Sequence, residues 1–205
     1  MSSVSAMPNH QSHAPHGHGH VHLDDAHWEG LLAQTELEGE LLVGFVTGTG
    51  ERIRGLRPAV HRVLDIGSGP GVGTCELARL FPEAQVIALD GSPATLARVR
   101  ERAQEKGVAE RIVTHHAELP DGLDGLEPVD LIWASMALLH VGDEVALLRS
   151  LRDLLAPGGV IAIAEVAGPM RVLPDGLAVG RPGLAERLQA AGRTWFASMR
   201  EGLEG

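Results

Sequence analysis

Five short apolar runs, each separated from the next by a segment with helical periodicity, constrain the fold of this chain more than any other feature. The runs are rich in β-branched residues and begin at Val63, Val86, Ile112, Val129 and Val160. Near-continuous apolar strands that alternate with helices are typical of parallel sheets whose two faces are both covered. The pattern therefore predicts an α/β protein with a doubly wound, mostly parallel sheet and helices on both faces.

Capping and turn residues place the helices between these strands. The first helix is expected over residues 71–81, and the second begins with Ser92 as N-cap and Pro93 in its first turn. A third is expected over residues 143–155, and a turn at residues 157–159 then precedes the fifth strand. Ligands in such sheets bind beyond the carboxyl ends of the strands, so functional residues are sought there.

Composition divides the chain into four parts. Residues 1–27 hold seven of the eleven histidines among Ser, Pro and Gly, which predicts a disordered tail. Residues 28–60 form a predicted N-terminal helical cap whose helix ends at Thr47 to Gly50. Residues 61–166 are the predicted α/β core, and residues 167–205 are interpreted as a loop and helix that cover the substrate or belong to a truncated C-terminal part.

Charge and cysteine content exclude several classes of protein. The 205 residues include 27 acidic and 17 basic side chains and carry a net charge of −10, which argues against nucleic-acid binding. The apolar runs fall far short of the roughly 20 residues that cross a bilayer, so no membrane span is expected. Because Cys75 is the one cysteine, no internal disulfide is possible and a cytoplasmic location is predicted. The oligomeric state stays open.

The first strand leads into the sequence DIGSGPGVG, with an acid inside the strand and glycines at alternate positions after it. Glycine permits a positive φ and lets the backbone approach a ligand closely. The dinucleotide pattern GxGxxG fails in both registers, because Val72 or Thr74 stands where the last glycine belongs. The loop is therefore not a typical nicotinamide site.

The acid of this motif, Asp65, separates two classes of ligand. A carboxylate about 4 Å from a phosphate costs on the order of 4 kcal/mol at an effective dielectric of 20, whereas an ammonium or sulfonium is attracted by a similar amount before desolvation. Asp65 therefore favours a cationic ligand such as S-adenosylmethionine. The alternative is that Asp65 accepts hydrogen bonds from the amides of its own loop.

Asp90 ends the second strand, twenty-five residues after Asp65, and Gly91 follows it. An acid at this point of a βαβ unit can accept both hydroxyls of an adenosine ribose. The alternative role is a charge at the start of the next helix, but Ser92 already caps that helix.

Together, these motifs resemble the class I S-adenosylmethionine-dependent methyltransferases, in particular the small-molecule branch of the type 11/12/25 domains. The resemblance runs from about Trp28 to Glu165. It is carried by the glycine motif at residues 63–71, the ribose acid in ALD at 88–90, the segment AELP at 117–120, the fourth strand with the residues up to Val141, and the turn LAPGG at 155–159. It implies a Rossmann-like fold, of which the last two of the usual seven strands are missing here.

The resemblance also assigns roles to individual residues. It implies that the glycine motif holds the methionine end of S-adenosylmethionine, Asp90 the ribose and Ala117 with its neighbours the adenine. The implied cofactor-binding residues are Asp65, Gly67, Ser68, Gly69, Gly71, Asp90, Gly91, His116, Ala117, Ser135 and Met136.

The function implied is methylation of a small-molecule acceptor on an oxygen, nitrogen or carbon atom. His140 is the candidate general base, with packing at a helix start as the alternative. The acidic cluster of a magnesium-dependent site is absent, so no metal is expected. A non-catalytic cofactor-binding subunit and an NAD(P)-dependent oxidoreductase are the alternative functions.

Overall fold

A computed structural model describes residues 25–119, 121–138, 143–165, 183, 184, 186–188, 190–192 and 194. The predictions for residues 1–24 of the tail at 1–27, and for most of residues 167–205, lie outside these ranges, whereas residues 25–27 belong to the first helix. Strands and helices alternate as the sequence predicts. The elements are α1 Asp25–Leu56, β1 Arg62–Ile66, α2 Val72–Leu80, β2 Gln85–Asp90, α3 Pro93–Glu105, β3 Ile112–His116, β4 Val129–Ser135, α4 Glu144–Leu154 and β5 Leu155–Ala164.

The five strands form one parallel sheet in the order β3-β2-β1-β4-β5. Strands β1 and β4 are neighbours in the sheet although two other strands lie between them in the chain, so the winding direction reverses there. Asp65 of β1 is paired with Trp133 of β4, near the carboxyl ends of these two strands. In doubly wound sheets, the crevice at the carboxyl ends of such a strand pair is the usual place for a ligand.

Helices cover both faces of the sheet, which confirms the predicted doubly wound α/β fold. On one face, Val63 of β1 packs in a cluster with Val46 of α1 and Leu77 of α2. On the other face, Leu64 of β1 packs with Leu147 of α4. Successive side chains of β1 point to opposite faces of the sheet, so both helix layers bury apolar side chains of this strand. Full burial of each such side chain contributes about 1.5–3 kcal/mol, which holds the sheet between the two layers.

Helix α1 is longer than expected: it continues to Leu56, and the predicted end at Thr47 to Gly50 is wrong. Packing explains the difference. Val46 and Ile53 are both buried in the core on either side of the expected end. A Cβ added at Gly50 would lie 2.6 Å from Leu80 Cδ1, so the small residue brings α1 close to α2. This burial outweighs the cost of about 1 kcal/mol for each glycine inside a helix.

Strand β5 begins at Leu155, so the predicted turn at residues 157–159 lies inside the strand rather than before it. Val129 is paired with Leu155 and Leu131 with Val160, which makes residues 156–159 an irregularity in the register. Gly158 has a φ of 72°, a conformation that glycine adopts readily. This local irregularity explains why a sequence typical of a turn occurs inside the strand. No helix in the described part of the chain is long and apolar enough to cross a membrane.

Candidate ligand-binding site

A cavity of about 370 Å³ lies at the carboxyl ends of β1, β4 and β5, on the side that α1 covers. Residues from α1, the glycine loop and the two strand ends form its wall. Among the described residues that line it, none is Lys, Arg or His, whereas Glu38, Asp65 and Glu165 are acidic. Of the cofactor-binding residues proposed from the sequence, it includes Asp65, Gly67, Ser68, Gly69, Ser135 and Met136.

The glycine loop between β1 and α2 takes a shape that other residues rarely adopt. Gly67, Gly69 and Gly71 have φ values of 61°, 51° and 84°. A Cβ at Gly67 would lie 2.6 Å from the Cβ of Ala137, and one at Gly71 would lie 3.0 Å from the Cα of Val99. The loop therefore packs closely against the segment after β4 on one side and against α3 on the other, at positions where only glycine fits.

Asp65 is a buried carboxyl with one strong hydrogen bond. Thr74 donates its hydroxyl to Oδ2 of Asp65 at 2.6 Å, so the bond comes from a side chain of α2 and not from the loop amides. Burial raises the pKa of Asp65 to about 7, the negative charge of Asp90 adds to the rise, and the Thr74 hydroxyl opposes it. A cation placed beside this group would favour its charged form.

Asp90 is held by the backbone on both of its oxygens. Gly69 donates its N–H to Oδ2 at 3.0 Å, and Ser92 donates its N–H to Oδ1 at 2.9 Å. Ser92 caps α3 as predicted, because its hydroxyl accepts a bond from the N–H of Thr95 at 3.2 Å. These two bonds fix the orientation of the Asp90 carboxylate. Because each carboxylate oxygen can accept more than one hydrogen bond, Asp90 still has acceptor capacity.

His116 and Ala117 lie near Gly91, at the carboxyl ends of β2 and β3 and apart from the cavity wall. Nε2 of His116 donates to the carbonyl of Gly91 at 3.0 Å, so this nitrogen is already engaged and Nδ1 is not. The N–H of Ala117 donates to the backbone carbonyl of Asp90 at 3.2 Å and is therefore already engaged. The bond from Gly69 to Asp90 joins this group of residues to the cavity.

The segment after β4 borders the cavity from the other side. Met136 has a φ of 59°, and its N–H donates to the carbonyl of Ala164 at 2.8 Å. Leu138 donates its N–H to Oε1 of Glu165 at 2.9 Å. Glu165 was missed by the sequence reasoning, although its position directly after the fifth strand is the signal that could have found it.

His140 lies outside the described residues, so its role as a base stays a prediction. No group of three or more metal-ligating side chains occurs in the part of the chain that the structure describes. Cys75 is buried, and burial raises the pKa of its thiol to about 11, which makes it a poor nucleophile at neutral pH.

Comparison with known proteins gives a consistent match over the core. Residues 63–159 match the family model described as a methyltransferase domain. A trans-aconitate 2-methyltransferase of Methylobacterium radiotolerans is 36% identical over 141 residues, which are 69% of this chain and 48% of that protein. A malonyl-[acyl-carrier protein] O-methyltransferase of Halorhodospira halophila is 35% identical over 114 residues, 56% of this chain and 38% of that protein.

Solved structures share the fold. The S-adenosylmethionine-bound amino pentose methyltransferase from Micromonospora echinaspora superposes with a TM-score of 0.55 at 24% sequence identity, covering 67% of this chain and 57% of that one. The chain spans about half, or less, of the length of the curated relatives it matches, with shares between 24% and 54%.

Proposed function

Because the chain belongs to the class I S-adenosylmethionine-dependent methyltransferases, we propose that it transfers a methyl group from S-adenosylmethionine to a small-molecule acceptor. One observation carries this proposal: Asp65 is fully buried at the glycine loop, its pKa is raised to about 7, and no described cation lines the cavity beside it. A cationic nucleoside offsets such a charge, whereas a diphosphate repels it.

The residues present fit this cofactor. The glycine loop leaves its backbone open toward the cavity at Gly69, where an added Cβ would meet only Thr35 Cγ2 at 3.6 Å. Asp90 is oriented by two backbone bonds and has lone pairs left for the two hydroxyls of a ribose. When bound, S-adenosylmethionine supplies a methyl group that its positively charged sulfur has already activated.

The chain's own residues bind the cofactor and exclude water. Asp90 would hold the ribose and Asp65 would face the ammonium of the methionine end, while His116 and Ala117 at the ends of β2 and β3 would flank the adenine. Leu42 and Phe45 of α1 form an apolar cover on the cavity. Orientation of two reactants in such a site supplies roughly 7–11 kcal/mol of the barrier reduction.

The acceptor is proposed as a class only. Two similar proteins act on trans-aconitate and on malonyl-[acyl-carrier protein], which supports a small-molecule or carrier-bound acceptor. The net charge of −10 supports an acceptor other than a nucleic acid, and the single cysteine supports a cytoplasmic location.

Calorimetric titration with S-adenosylhomocysteine tests the cofactor assignment. We expect micromolar binding to the wild-type chain and an affinity lower by more than about tenfold in Asp90→Ala, because charge-assisted hydrogen bonds to the ribose are lost. Asp124→Ala is the matched control, since Asp124 is exposed and outside the site. Binding of NAD(H) but not of S-adenosylhomocysteine would contradict the proposal.

A further inference from the structure

Glu165 stands directly after β5, on the wall of the cavity. Its neighbour Ala164 is paired with Ser135 at the end of β4. Glu165 therefore lies beside the segment that begins with Met136, on the side of the cavity away from Asp90.

A main-chain N–H, and none of the described cations, binds the Glu165 carboxylate. Oε1 accepts a hydrogen bond from the N–H of Leu138 at 2.9 Å, and the bond from Met136 N–H to Ala164 O at 2.8 Å holds the same two segments together. The bond from Leu138 restrains the carboxylate itself, and the bond between Met136 and Ala164 holds the main chain beside it. The second carboxylate oxygen is consequently held in place as well.

That second oxygen, Oε2, is buried and has no hydrogen-bond partner among the described residues. A buried carboxylate oxygen without a partner is unfavourable unless a donor or a positive charge offsets it. The hydroxyl of Ser68, on the same cavity wall, is also buried and unpartnered, and Ser68 is only 8% exposed. Two such atoms on one cavity fit a site that a bound ligand completes.

We propose that Glu165 is a specificity residue that recognises the positive charge on the sulfur of the cofactor. This inference rests on the proposed function and deepens it. The methyl donor carries a sulfonium, whereas the product left after transfer carries an uncharged thioether, and a fixed negative charge distinguishes the two. Asp65, which accepts the Thr74 hydroxyl, would face the ammonium of the methionine end, and the donor and the product both carry that group. Glu165 therefore makes the cavity favour the donor and release the product.

Calorimetry with S-adenosylmethionine and S-adenosylhomocysteine on Glu165→Gln tests this role. Glutamine keeps an oxygen that accepts from Leu138 N–H and removes the charge. We expect the affinity for S-adenosylmethionine to fall by about tenfold, while that for S-adenosylhomocysteine changes by less than about threefold. Glu83→Gln is the matched control, since Glu83 is exposed and lies outside the cavity. Its ratio of affinities is expected to stay at the wild-type value.

Glu165→Asp, which keeps the charge on a shorter side chain, is expected to retain most of the preference for the sulfonium. Equal losses for both ligands in Glu165→Gln, or no loss for either, would overturn the role of Glu165 and leave the cofactor assignment intact. Absence of heat with both ligands on the wild-type chain would instead overturn the proposed function, and the role of Glu165 with it.

Discussion

Two buried acids on neighbouring strands, at opposite edges of the sheet, have opposite surroundings. At the amino edge, Asp130 accepts the N–H groups of His61 at 2.8 Å and Arg62 at 3.0 Å, and the guanidinium of Arg57 donates to its other oxygen. Burial alone would raise the pKa of Asp130, but these bonds and the Arg57 charge outweigh it and lower the pKa. At the carboxyl edge, burial raises the pKa of Asp65 to about 7.

The difference separates structural from functional acids. The protein itself supplies the bonds and the positive charge that Asp130 needs, so this acid ties the strand start of β4 to the chain entering β1. No described cation lines the cavity beside Asp65, and its charged form is disfavoured until something else offsets it. An acid that destabilises the folded chain when it is ionised is stabilised when a cationic ligand binds beside it, so it favours binding of that ligand.

The largest expected effect is that of Asp65→Asn on stability at high pH. The folded pKa of Asp65 is raised above the ordinary value of 3.8 to about 7, so the folded state binds the extra proton and wild-type stability falls as pH rises between these values. Asparagine removes this cost. Above pH 7 we expect the variant to be more stable, by on the order of 3 kcal/mol, and at pH 4 to show no such gain.

Urea unfolding at pH 4, 6 and 8 measures this effect, with Asp124→Asn as the exposed control. The same variant should bind S-adenosylmethionine more weakly, because it cannot carry the charge. A variant that is less stable than wild type at every pH would show that Asp65 is structural after all.

A smaller effect of opposite sign is expected for Asp130→Asn. The substitution leaves Arg57 without its carboxylate and weakens the bonds from His61 and Arg62, so we expect a loss of about 2–3 kcal/mol at neutral pH. Because the folded pKa of Asp130 is lowered, its contribution is present above the unfolded pKa and is lost as pH falls through the folded one. The difference from wild type should therefore shrink toward pH 3.

The measurement is again urea unfolding across pH, combined with calorimetry at neutral pH. Affinity for S-adenosylhomocysteine should stay within about threefold of wild type, since the amino edge does not touch the cavity. A tenfold loss of affinity in the folded variant would remove the distinction between the two edges.

Local patterns predicted most of the fold. Apolar runs placed the five strands, and Ser92 with Pro93 placed the start of α3, because these signals act within a few residues. The end of α1 was wrong because the local glycines argued for a stop, whereas the contact between Gly50 and Leu80 depends on how the helices pack. The partnership of Arg57 with Asp130 spans 73 positions, and no local pattern encodes it.

The candidate site was predictable where a single loop builds it. The glycine motif and Asp65 are contiguous in sequence, and the structure brings them to one cavity with Ser135 and Met136. Glu165 was missed because its significance depends on the bond from Leu138, which lies 27 positions away. Likewise, the sequence assigned Ala117 to the adenine, and only the pairing of β2 with β3 reveals that its N–H already bonds the backbone carbonyl of Asp90.

A crystal structure of the chain soaked with both S-adenosylhomocysteine and NAD tests most directly whether the carboxyl edge binds a sulfur nucleoside. We expect S-adenosylhomocysteine over the glycine loop, with its ribose hydroxyls on Asp90 and its amino-acid end in the cavity beside Asp65. NAD at the loop, or S-adenosylhomocysteine bound away from Asp65 and Asp90, would contradict this.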